Sequence, residues 1–118
     1  MNYKDMEVWK SSMDLVDRVY DVGELLPSYE KYGLRTQINK SAASIPSNIA
    51  EGSGRESTKE FIRFLDIANG SLYELETQLL IIKNRNWTDT TQLIESDVMI
   101  IRKMIYRLKQ SLRNKTRK

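Results

Sequence analysis

The sequence predicts an all-α fold, an up-down-up-down antiparallel four-helix bundle, and three observations lead there. Apolar residues recur at steps of three and four, with no sustained period-two alternation. Proline occurs only at positions 27 and 46, and glycine only at 23, 33, 52, 54 and 70, so the chain has few places to turn. Two stretches, Ser57-Thr58-Lys59-Glu60 and Asp89-Thr90-Thr91-Gln92, read as capping boxes that open helices. A chain of 118 residues suits one domain. Its expected division is a bundle over 1–113 and a basic, frayed tail over 114–118.

The first helix is expected from Lys4 to Leu25 and carries two apolar stripes. One is Met6, Trp9, Met13, Val16 and Tyr20; the other is Val8, Leu15, Val19, Val22 and Leu26. Pro27 ends it, because its ring clashes with the preceding turn. The second helix is expected from Ser28, as N-cap, to Glu51, with Leu34, Ile38, Ala42, Ile45 and Ile49 inward. Pro46 lies inside it and removes the bond to the carbonyl of Ala42, so this helix either kinks and continues or breaks there. Gly52-Ser53-Gly54 closes it, and Ser57 caps the third. That helix carries Phe61, Leu65, Ala68, Leu72, Leu75, Leu79 and Ile82, an unbroken heptad seam. After a turn at Asn86-Trp87-Thr88, the fourth carries Ile94, Val98, Ile101, Ile105, Leu108 and Leu112. Helices 1 and 4, the latter with Leu93, Ile100 and Met104 beside its seam, hold more apolar surface than one short bundle needs. The surplus points to self-association.

Composition removes most chemistry. With no cysteine and no histidine there is no thiolate or imidazole ligand and no histidine general base. Glu74 and Glu76 are two apart on a helix and diverge, Glu-x-x-Glu pairs are missing, and Gly52-Ser53-Gly54-Arg55 lacks the Lys-Ser/Thr of a phosphate loop. The reading is therefore of a protein that is not an enzyme and has no cofactor, metal or catalytic residue. No apolar run suits a membrane span and the N-terminus has no signal-peptide core, so no membrane partner and a cytoplasmic location are expected.

Charge is the positive signal. The net charge of +3 conceals a basic end. From Val98 onward the cations are Arg102, Lys103, Arg107, Lys109, Arg113, Lys115, Arg117 and Lys118, with no acidic residue among them. Such a block suits a nucleic-acid backbone, and equally a solvated helix end favoured by the macrodipole. The stretch Ser44 to Gly52 is the most unusual. Asn48 sits where its amide can bond backbone freed by Pro46 or a neighbouring helix. Glu51, at a helix C-terminus, calls for a compensating cation such as Arg55, Arg63 or one from helix 4.

The run Ser44-Ile45-Pro46-Ser47-Asn48-Ile49-Ala50-Glu51-Gly52 also carries a resemblance. With Trp9, Leu26-Pro27, Glu30, Tyr32-Gly33-Leu34, Gln37-Ile38, Phe61-Ile62-Arg63-Phe64-Leu65, Ile67-Ala68, Gly70-Ser71-Leu72 and Glu74-Leu75-Glu76, it resembles the 23S rRNA-intervening-sequence protein family. Helix 4 matches only in character. The resemblance implies a ring-shaped homo-oligomer, a pentamer, with no established enzymatic activity, and gives Pro46, Asn48, Glu51 and Gly52 structural roles. A protein related in fold, the accessory variability determinant of diversity-generating retroelements, binds nucleic acid and a reverse transcriptase, which adds a possible protein partner. The expectation is a helical scaffold that binds RNA or DNA backbone through helix 4 and the tail, with Arg35, Lys40, Arg55 and Lys59 assisting. The alternative is a protein-interaction scaffold with no nucleic-acid role.

Overall fold

The apolar seams close into a bundle of four helices. The computed structural model describes residues 2–116. Helices α1 (Glu7–Glu24), α2 (Leu34–Ser53) and α3 (Thr58–Asn84) are followed by a π-helical segment, Leu93–Val98, that leads into α4 (Met99–Thr116). The protein is 84% helical, and the described residues contain no strand. Helix α1 packs on α2, α2 on α3, α3 on α4 and α4 back on α1, in a body 52 × 23 × 20 Å.

One stripe of α1 is buried in the core, and the other is split between partial packing and exposure. Val8, Leu15, Val19, Val22 and Leu26 are buried, whereas Met13 and Tyr20 stay 40% and 48% exposed and Met6, Trp9 and Val16 are half-buried. Leu65, Ala68, Leu72, Leu75, Leu79 and Ile82 of α3 are fully enclosed, facing Ile38, Ala42, Ile45 and Ile49 of α2 and Ile101 and Ile105 of α4.

Three helix starts differ from expectation: α1 begins at Glu7, behind a separate 3-10 turn at Tyr3–Asp5 and not at Lys4, and the other two are those of α2 and the fourth helix. Ser28 does not cap α2. Residues Ser28–Glu30 form a 3-10 turn, and the Glu30 carboxylate caps α2 instead, accepting from the Leu34 amide at 2.9 Å. The chain must reverse direction after Pro27, so the first turn of helix is displaced beyond Gly33. A side chain at Gly33 would put its Cβ 2.7 Å from that carboxylate. At the fourth helix, Asp89 accepts from the amide of Thr91 at 3.0 Å, not from Gln92. Thr90 is buried and its hydroxyl donates to the Leu79 carbonyl at 2.8 Å, pinning the start of the helix to α3. Hydrogen bonds from Thr91, side chain first and backbone second, hold the Asp89 carboxyl below its usual range. This cap therefore persists above the unfolded value and is lost as pH falls through the lowered one. The bonding pattern then widens to i→i+5, which sets Leu93 over Val98 and buries both with Ile94.

Helix α2 runs through Pro46 without a break. The next two side chains brace the loosened turn: Ser47 Oγ donates to the Ala43 carbonyl at 2.8 Å, and Asn48 Nδ2 to that of Ser44 at 2.8 Å. Ser57 caps α3 by accepting from the Glu60 amide at 3.1 Å. Glu60 does not reach back to complete the box, because its carboxylate takes Arg63 at 2.8 Å, which also holds its pKa below the ordinary value.

Gly52 marks a close approach of α2 to α3. A Cβ there would lie 2.7 Å from the Phe64 Cβ and 3.0 Å from the Phe61 ring. The Phe64 atom is fixed to its backbone and cannot swing aside. Gly52→Ala should lower stability by about 1–3 kcal/mol, read as a reduced urea midpoint with an unchanged m value.

Candidate nucleic-acid interface

Helix α3 sorts the cations of α4. Its carboxylates at positions 74 and 76 point to opposite neighbours, as their spacing requires. Glu74 accepts from Ser41 of α2 at 2.6 Å, and Glu76 pairs with Arg102 of α4 at 2.6 Å. Asp66 pairs with Lys109. Arg102 also lies over the Tyr73 ring, 4.2 Å from its centroid, and both Arg102 and Lys109 keep less than a fifth of their side chains exposed. These two cations serve the packing of α4 on α3.

The other side of α4 is different. Lys103, Arg107 and Lys115 are exposed and have no carboxylate within ion-pair distance among the described residues. Lys103 and Arg107 are four apart and so share a face. Below them Tyr106, Arg107, Gln110, Ser111, Asn114 and Lys115 line a shallow depression of about 500 Å³. Arg113 is exposed as well, whereas Arg117 and Lys118 lie outside the described residues. Helix α4 extends to Thr116, beyond the boundary expected at Arg113.

The antiparallel pairing of Asp66 with Lys109 and Glu76 with Arg102 sets the start of α3 beside the end of α4. Lys59 and Arg55 therefore stand at the same end of the bundle as Lys115. Lys59 is exposed; Arg55 is held by Glu51 at 2.8 Å and lies over the Phe64 ring at 4.8 Å. Arg35 is at the opposite end, paired with Glu24 at 2.7 Å, and Lys40 is exposed on α2. The structure thus brings Lys103, Arg107, Lys115 and Lys59 onto one open surface and end, and gives Arg102, Lys109, Arg55 and Arg35 to intramolecular partners.

The unusual stretch of α2 is occupied by packing. Pro46 is buried, and Asn48 bonds the carbonyl and hydroxyl of Ser44, whose Oγ meets Ser71 Oγ of α3 at 2.8 Å. Glu51 takes Arg55 as its compensating partner. No cluster of three or more potential metal ligands occurs among the described residues, and no helix there is long and apolar enough to cross a membrane.

A profile of the family described as 23S rRNA-intervening sequence protein matches residues 4–113. The chain belongs to that family. A search of curated proteins gives no significant match. The match spans all four helices, so the helix that resembles the intervening-sequence proteins only in character at the level of motifs is part of the family unit.

Sequence reasoning missed Tyr106, which stands 61% exposed between Lys103 and Arg107, and the polar residues Gln110 and Asn114. Their signal is the spacing from Arg107, three and seven residues on, which repeats one face of the helix. The two classes of cation should separate by stability. Arg102→Gln should cost about 1–2 kcal/mol through loss of the Glu76 and Tyr73 contacts. Lys103→Gln and Arg107→Gln should stay within about 0.5 kcal/mol of the parent, with thermal melting as the measurement.

Proposed function

We propose that the protein is a non-enzymatic, homo-oligomeric helical scaffold that binds the RNA or DNA backbone through the outward cations of α4. The observation that carries this reading is the sorting of charge on that helix. Lys103, Arg107 and Lys115 project without a carboxylate partner among the described residues, although α3 satisfies Arg102 and Lys109 nearby. A solvated helix end needs no such division. The solvated-end account also explains only cations in the last turn, where the macrodipole acts, and Lys103 and Arg107 lie well before it.

Self-association rests on the half-exposed stripe of α1. Met13 and Tyr20, beside Trp9 and Val16, form an apolar surface that the monomer leaves uncovered. Asp14, Asp17 and Asp21 flank it, which suits a head-to-tail contact with the basic face of a neighbouring copy. A closed ring, with five subunits as the reading favoured by family resemblance, repeats the α4 surface around an axis. Weak phosphate contacts then add through avidity.

Fluorescence anisotropy with labelled RNA and DNA across a salt series tests the reading. Binding should weaken steeply with salt, by about 0.7–0.9 in log–log slope per phosphate neutralised. Replacing Lys103, Arg107 and Lys115 together by glutamine should weaken both nucleic acids alike and flatten the slope, while light scattering reports the parent's subunit number. Loss of binding without a change in slope would contradict the phosphate role, and a monomer at micromolar concentration the oligomeric one. A parent that binds neither nucleic acid at low ionic strength would leave the protein-interaction scaffold in its place.

A further inference from the structure

We infer that the α4 surface takes single-stranded nucleic acid and that Tyr106 stacks on one of its bases. This rests on the proposed nucleic-acid reading and adds the strandedness of the ligand and the residue that senses it. Tyr106 and Arg107 form a ridge between two depressions. One is the hollow of about 500 Å³ that continues to Lys115. The other, about 430 Å³, is lined by Arg102, Lys103, Tyr106 and Arg107. Neither lining contains a carboxylate, whereas the hollows between α1 and the start of α4 hold Asp14, Asp21, Asp89 and Asp97. The α4 face is therefore the one suited to an anion.

Cations alone would accept any polyanion, a duplex included. The ring is what separates the two. A single strand offers apolar base faces beside its phosphates, and an exposed aromatic flanked by cations meets both at once. A duplex hides its base faces in the stack, so a ring lying on the outside of a helix cannot reach them. Tyr106 is 61% exposed, its neighbours in the larger hollow are the amides and hydroxyl of Gln110, Asn114 and Ser111, and these supply polar contacts to sugar and base edges. One helical turn away, Tyr73, 55% exposed, adds a second exposed aromatic beside this face.

The test compares a labelled mixed-sequence single strand with the same strand annealed to its complement, at matched ionic strength, using the full-length protein. The parent should bind the single strand more tightly. Tyr106→Leu, which keeps apolar bulk but removes the π face, should weaken single-strand binding about tenfold and leave duplex binding and the salt slope unchanged. Tyr106→Phe should remain within about twofold of the parent, since stacking needs the ring and not its hydroxyl. The inference falls if Tyr106→Leu binds the single strand as the parent does, or weakens both forms equally. If Arg107→Gln weakens binding in that case, the phosphate reading stands without the stack. A parent that binds neither form overturns both together.

Discussion

The rotation of α4 about its own axis is set by its buried apolar line and held on one flank by two ion pairs to α3, Lys109 with Asp66 and Arg102 with Glu76. Positions 102 and 109 are seven apart and lie on one flank of the helix, just outside the buried line of Ile101, Ile105 and Leu112. Once that flank is tied to α3, positions 103 and 107 have to face outward. Turning α4 by one position would bury a different cation and offer a different set to a partner.

Helix α3 can do this because its two sides carry different chemistry. Toward α2 it presents Ser71 and Glu74, which meet the hydroxyls of Ser44 and Ser41, and no ion pair joins the two helices among the described residues. Small residues there let the backbones approach, to the point where Gly52 leaves no room for a Cβ against Phe64. Toward α4 it presents the carboxylates of Asp66 and Glu76, and the helices are bridged by Lys109 and Arg102. The α2–α3 pair is close and largely uncharged. Pro46 is tolerated within it because the ring is buried and Ser47 and Asn48 brace the adjoining carbonyls.

Features set by local spacing were legible in the sequence. The heptad seams of α3 and α4 predict their buried residues, Ser57 is a cap because its hydroxyl needs only the amide three residues on, and Glu51 finds Arg55 one turn away. Features that depend on chain reversal or on a partner helix were not. Glu30 caps α2 only because the loop after Pro27 folds into a 3-10 turn, and Ser28, the better cap by residue type, is left unused. The widened turn at Leu93–Val98 has no composition signal, since a heptad pattern does not distinguish a backbone bond spanning four residues from one spanning five. Which cations of α4 are engaged required knowing what α3 sets opposite them. The sequence shows eight basic residues in one block; the fold pairs Arg102 and Lys109 with carboxylates of α3 and leaves Lys103, Arg107 and Lys115 without one among the described residues. Likewise both stripes of α1 read as apolar, and only packing reveals that Met13 and Tyr20 belong to the one left outside.

The central claim is that the cations of α4 have separate duties: the inner ones hold the bundle and the outer ones meet a polyanion. Lysines 103, 109 and 115 sample both classes on a single helix. Reductive methylation with a carbon-13 label makes each lysine amine visible by NMR, and titration with RNA or DNA reads them side by side. The account predicts that the resonances of Lys103 and Lys115 shift with added nucleic acid while that of Lys109, held by Asp66, stays in place. A shift of Lys109 as large as theirs, or no shift at any of the three, would contradict it.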